Sequence, residues 1–309
     1  MMEHSVARCL SFHAAYRCHR SGACCSAGWT IPFDTNEVRR VTALGLPSGR
    51  LHQTTAGTFA AMNDRRCSFL EDVQGVHACA IHRAGGHGAL PLTCRMFPRV
   101  VLHDRRGTFV SLSHFCPTAA GMLFDAARDV SIVDAPETLA GSDALDGLDA
   151  RDVWPPLLRP GLMMDLDSYD LWERSAIALL TRDRVPPRLA LDALESATAR
   201  VVAWQVEGGT PLSGAVSEAF AGAVPARSTL ARFEPAVNRW LAARLFGAWV
   251  AYQGNGLRTT ILYLRACLDA YHVELARDGD AIEAIRRADR LIVHESSSQQ
   301  LANLLNERS

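Results

Sequence analysis

An α+β chain, mostly α, in which a small cysteine-rich region of short hairpins precedes an α-helical domain, is the fold class this sequence predicts. Three observations lead there. Eight of the nine cysteines lie within the first 116 residues, and only Cys267 falls later. Short apolar and polar runs around turn residues fill that first part. Beyond about residue 161, apolar residues recur at the three-and-four spacing of buried helix stripes. The organisation expected is a cysteine-cluster region over 1–128, a connecting segment over 129–160 rich in Asp, Gly, Ala and Pro, and a helical domain over 161–309.

The first regular element expected is a short helix in "FDTNEVRRVTALG". Asp34 is placed to cap it, Glu37 follows three residues on, Val38, Val41 and Leu44 form its apolar face, and Gly45 stops it. "CSFLEDVQGVHACAIH" reads as a hairpin whose turn ends at Gly75, and "RVVLHDRRGTFVSLS" as a second hairpin turning over Asp104 to Gly107. Cys67, Cys79, Cys94 and Cys116 fall at or beside the ends of these elements, where turns can aim side chains at a common point. In the helical part, Phe233, Val237, Trp240, Leu241, Leu245 and Trp249 form one stripe, and Ile261, Leu264, Leu268, Tyr271 and Leu275 another. Further helices are expected at about 167–182, 187–206, 279–292 and 297–307. Cys267 lies beside an inner stripe and reads as a small buried hydrophobe.

Composition narrows the classes of function. An apolar fraction of 48%, a charged fraction of 21% and a net charge of −1 are ordinary for a soluble globular protein, and give no basic field for nucleic acid or an anionic membrane. Every basic residue among the 32 is arginine, which reads as coding bias. The N-terminus lacks an apolar core of signal-peptide length, and no apolar run reaches the ~18 residues of a membrane-spanning helix. A cytoplasmic location is therefore expected, without membrane or nucleic-acid partners. In that compartment dense thiols read as metal-binding or catalytic before they read as disulfides.

The spacing of the thiols bears on which metal. "YRCHRSGACCSAGW" sets Cys18 six residues ahead of the adjacent pair Cys24 and Cys25, and the later thiols are singles 12, 15 and 22 residues apart. No CxxC is present, which weakens the ordinary zinc-finger reading without excluding zinc. "CAIH", Cys79 to His82, offers a two-ligand knuckle, although a histidine near a cysteine is more often an ordinary polar residue. Scattered thiolates suit an iron–sulfur cluster, which takes four cysteines from loops with no single spacing. The radical S-adenosylmethionine spacing CxxxCxxC is absent, and no GxGxxG follows a predicted strand.

The blocks "YRCHRSGACCSAGWTIPFD", "CSFLEDVQGVHACAIH", "LPLTCRMFPRV" and "SLSHFCPTAA", in this order, resemble those of the YkgJ-type cysteine-cluster proteins, described as zinc- or iron-chelating. The paired cysteines before "SAGWTI" and the "CRMFPR" block are closest to the flagellin lysine-N-methylase branch, and "VNRWLAARLF" and "ADRLIVHES" resemble that branch's C-terminal helices. The resemblance implies metal-ligand roles for Cys18, Cys24, Cys25, Cys67, Cys79, Cys94 and Cys116. It departs at one place: family members usually carry a further cysteine between the first and the pair, where this chain offers Ser21. Cys9 has no counterpart and is left out of the set.

What the branch implies is an iron–sulfur protein, most simply with a 4Fe–4S cluster and with zinc as the alternative, that transfers methyl groups from S-adenosylmethionine to lysines of a protein or peptide substrate of flagellin-like kind. Arg95 and Arg99 flank a ligand and are candidates to donate to cluster sulfurs or hold the cofactor's carboxylate, or else to pair with backbone carbonyls or acids of the fold. His82, His114, Glu71 and Asp34 are the candidate bases, none marked out by spacing. Two other readings stand beside methyl transfer: a metal-binding or metal-delivery module without catalysis, and an enzyme of the same scaffold acting on a peptide or small molecule. The sequence leaves the oligomeric state open.

Overall fold

The computed structural model describes residues 7–125, 129–140, 147–153, 155–229, 231–252 and 254–295. The fold is α+β and mostly α, as expected. The chain divides into two compact units, each built from segments distant in sequence: residues 17–99 with 116–118, and residues 1–16 with 100–115 and 119–309.

The cysteine-rich unit has little regular structure. Helix α1, Thr35–Ala43, is set by a full capping box: the Asp34 carboxylate accepts from the Glu37 N–H, and the Glu37 carboxylate accepts from the Asp34 N–H. Strands Pro32–Phe33, Gly57–Ala60 and Leu51–Thr54 form an antiparallel sheet. Two hairpins follow, Met62–Asn63 with Arg66–Cys67 and Leu70–Val73 with Val76–Cys79. The second turns at Gln74 and Gly75, both at positive φ, which matches the twist of its strands. Short helices α2, Ala80–Gly85, and α3, Leu92–Met96, complete the unit. Its core is small, centred on Ile31, Phe33, Val41, Phe69, Ile81 and Leu90, and Cys67 is part of it.

The other unit is larger. Strand Ala7–Leu10 pairs parallel with Gly107–Leu112 and antiparallel with Ile132–Asp134, while Leu148–Asp149 pairs parallel with Arg99–Asp104. Two helices follow the hairpin, α4 at Pro117–Asp125 and α5 at Glu137–Ala140. Among the described residues six longer helices come next: α6 Leu166–Leu180, α7 Pro187–Val202, α8 Leu212–Ala221, α9 Glu234–Leu245, α10 Leu257–Asp278 and α11 Ala281–Arg290. Trp172, Tyr169 and Trp240 are wholly buried at their centre.

Helix α9 is buried on nearly every side, including Asn238, Arg239 and Arg244. The stripe read through to Trp249 is interrupted, because Gly247 takes φ +62° and approaches Phe109 so closely that a Cβ would lie 2.9 Å from its Cβ. Trp249 consequently sits on a separate 3-10 turn, Trp249–Tyr252. Helix α8 was not expected from the sequence, and the helix expected at 297–307 lies outside the described residues. Among the described residues no helix is long and apolar enough to cross a membrane.

Candidate metal centre

Five cysteines are drawn together within the smaller unit. Cys24 and Cys25 lie on a 3-10 turn, Cys24–Ser26, which packs against strand Arg66–Cys67. Gly22 makes this approach possible: it holds φ +73°, and a Cβ there would lie 3.0 Å from His77 Cβ on the hairpin that ends at Cys79. Cys67 ends the first hairpin, Cys79 ends the second and caps α2, and Cys94 sits within α3. Four short elements of one unit thus carry the five thiols.

Electrostatics couple the set. The Cys24 and Cys25 sulfurs are 3.9 Å apart, and their contact lowers the pKa of Cys24 while raising that of Cys25. Cys67, Cys79 and Cys94 are all pushed up, first by burial and then by the negative charge that neighbouring thiols would carry. Backbone N–H groups compensate in part: Phe69 donates toward the Cys67 sulfur, and Ile81 and His82 donate toward that of Cys79. Thiols that resist ionisation because they are buried, and next because other thiols are near, are the condition a cation relieves.

The donor set is therefore all sulfur and fits a thiophilic metal. Among the described residues, no group of three or more Cys, His, Asp or Glu is drawn up as a ready coordination site. The nearby carboxylates have other work. Glu71 is bound by Arg50 and Arg83, and Asp34 caps α1. Glu37 bridges α1 to α3: besides the Asp34 N–H it accepts the N–H of Leu92 at 2.7 Å, the first residue of the helix that carries Cys94. Sequence reading saw only the local half of this role, since the partners are 55 residues apart.

The remaining predicted residues are placed differently. Cys18 is exposed, its sulfur accepting from the Arg20 N–H at 3.4 Å. Cys116 is buried in the same unit. Arg95 donates to the carbonyls of Gly88 and Leu90, and Arg99 to that of Arg95. The blocks bearing the pair and the arginines also meet through Trp29 and Phe97, whose ring centres are 5.3 Å apart. His82 lies beside His87, and its pKa is lowered by burial and then by Arg20 and His87. Cys9 and Cys267 are wholly buried in the larger unit, one in its sheet and one in α10.

His114 belongs to a buried polar centre of that larger unit. Its Nε2 lies 3.1 Å from His13 Nε2, and its backbone N–H donates to Asp289 at 2.8 Å. Asp289 also accepts from Ser113 Oγ and Trp240 Nε1, both at 2.9 Å, with Arg244 Nε 3.5 Å away. Burial would raise the Asp289 pKa, but Arg244 and the hydrogen bonds outweigh it and hold the carboxyl well below its usual range. Each side chain here is engaged in the fold.

Residues 17–117 match the CxxCxxCC family model, described as "Putative zinc- or iron-chelating domain". In the pattern that names the model, the second cysteine falls at position 21, occupied here by serine. The match covers the cysteine-rich unit and supports metal binding by this region. No curated protein and no solved structure matches the chain.

Proposed function

We propose that residues 17–117 hold an iron–sulfur cluster through thiolates drawn from Cys24, Cys25, Cys67, Cys79 and Cys94. The observation that supports this reading is the electrostatic coupling of five thiols carried by four short elements of one unit. Four thiolates meet the needs of a cubane cluster, and five are at hand. The chain's contribution is to fix those sulfurs, exclude water with the Phe69 and Ile81 core, and direct backbone N–H groups at the sulfurs of Cys67 and Cys79. A bound cluster would supply redox or Lewis-acid chemistry at this surface.

Anaerobic purification tests the reading. Brown protein with iron and acid-labile sulfide near one cluster per chain is the expected result. A colourless preparation holding zinc alone overturns it in favour of a zinc-chelating module.

The finer reading we propose is methyl transfer from S-adenosylmethionine to lysines of a protein substrate. Its support is the order of the sequence blocks and their resemblance to the lysine-N-methylase branch. The reaction requires a deprotonated, desolvated amine held in line with the sulfonium methyl. Because the chain contains no lysine, any methyl-lysine formed belongs to the substrate. Mass spectrometry of a flagellin-like protein incubated with the clustered enzyme and S-adenosylmethionine should show 14 Da increments on lysine, on the order of one methylene each. An intact cluster with no increment counts against this reading and leaves the cluster proposal standing.

A further inference from the structure

The net charge of −1 hides a division between the two units. Residues 17–99 carry ten arginines against five carboxylates, and the rest of the chain carries twenty-two arginines against twenty-eight carboxylates. Three of the five carboxylates are already engaged: Asp34 and Glu37 in the capping box of α1, and Glu71 by Arg50 and Arg83. Four thiolates holding a dication would bring about two negative charges, which leaves the smaller unit cationic.

Much of this excess lies along the segment 17–28, which carries Cys24 and Cys25. Arg17 and Arg20 are exposed at its start, and neither has a carboxylate partner among the described residues. At Gly22 the segment meets His77, whose Nδ1 lies 3.5 Å from a guanidinium nitrogen of Arg66. At Gly28 it meets Arg65, which donates to the Ala27 carbonyl at 3.3 Å. A carbonyl fixes that guanidinium without cancelling its charge. Arg65 and Arg66 are both exposed, and Cys24 and Cys25 are half-buried between these cations. Two carboxylates interrupt the field: Asp64 precedes Arg65 in the same turn, and Asp72 lies 3.9 Å from His77.

That mixture selects the partner. A nucleic acid repeats negative charge along its whole length and would meet both aspartates. Single strands also gain from stacking on aromatic rings, and no described aromatic residue of this unit is exposed. A protein surface carries both signs, so an acidic one can face the arginines and still set basic residues against Asp64 and Asp72. Complementarity of this kind steers encounter and fixes register. We infer that the face around residues 17–28 docks an acidic protein surface and brings it over Cys24 and Cys25. The inference concerns the partner of the metal centre described above and does not depend on which metal fills it.

Fluorescence anisotropy of a labelled glutamate-rich peptide with the metal-loaded full chain tests it. Saturable binding is expected, weakening about tenfold as salt rises from about 50 to about 200 mM. The glutamine counterpart of the peptide should not bind. Arg17→Gln combined with Arg66→Gln should weaken binding about tenfold, with melting temperature and metal content unchanged because both side chains are exposed. Arg188→Gln, exposed on α7 of the other unit, should leave binding unaltered. Absence of binding at low salt, or an equal loss in Arg188→Gln, would overturn the assignment. So would tighter binding of a single-stranded oligonucleotide of matched charge, which favours nucleic acid, or self-association abolished by the paired substitutions, which assigns the face to a second copy.

Discussion

The sulfurs of Cys24 and Cys25 lie 3.9 Å apart on a single 3-10 turn. On an extended strand, neighbouring side chains would point to opposite faces, so the turn is what brings the two thiols together. The two are not equivalent. Backbone N–H groups of residues 24 and 25 point at the Cys24 sulfur, and its partner's S–H does the same. Hydrogen bonds of this kind orient a ligand and suit it to a metal. Cys24→Ser should therefore lose most of the bound metal, whereas Cys25→Ser, whose hydroxyl still donates, should retain more. Iron and zinc content of the two purified variants checks this, and equal loss in both would remove the distinction.

Replacing Cys94 should deplete the metal, because it stands among Cys24, Cys67 and Cys79. Cys267→Ala should not. That thiol is fully buried in α10 and raised to about 12, by burial first, and it packs in the core with the Tyr263 hydroxyl donating toward its sulfur. The expected result is unchanged metal content and a stability loss of about 1 kcal/mol for the small cavity.

Glu37 should matter to the metal without touching it. Its carboxylate ties α1 to the first N–H of α3, and α3 carries Cys94. Glu37→Ala leaves two backbone donors unpaired, a cost of about 1–3 kcal/mol, and should reduce metal retention during dialysis against a chelator. Glu37→Gln, which keeps an acceptor oxygen, should lose less. Identical retention in both variants and the parent would show that the bridge does not position Cys94.

Local signals made α1 and the 70–79 hairpin legible: a capping box and a Gln74–Gly75 turn are contained within a few residues. The 62–67 hairpin was not legible, since Asp64 and Arg65 take positive φ without a glycine to announce it. The small residues of "LSGAVSEAFA" disguised α8. Among the site residues, the sequence indicates that thiols matter, while their assembly depends on tertiary contacts between elements up to 70 residues apart, from Cys24 to Cys94.

Asp289 should be among the most costly residues to neutralise. It is wholly buried and faces Arg244, which is itself almost inaccessible. Asp289→Asn keeps the shape but leaves a buried guanidinium without its countercharge, a change worth about 3–5 kcal/mol. Adding Arg244→Met should recover part of this loss. Denaturant midpoints of the single and double variants check it, and strict additivity would show that the two charges do not compensate each other.

The same centre predicts how stability depends on pH. The His13 pKa is well below 6.5, because burial, His114 and Arg244 outweigh the opposing charge of Asp289. A group depressed in the folded state leaves the unfolded chain binding the extra proton. Its contribution is therefore fully present above about pH 6.5 and is lost as pH falls below it, on the order of 1–2 kcal/mol by pH 5. Thermal melts of the full chain between pH 8 and pH 5 should show the melting temperature falling across that window. His13→Gln preserves a side chain that can meet His114 across their 3.1 Å contact but does not titrate. Its melting curve should lose part of the acid dependence, with the remaining slope due to other groups. If parent and variant fall in parallel, His13 is already protonated in the folded chain, and the neutral buried pair described here is the wrong state.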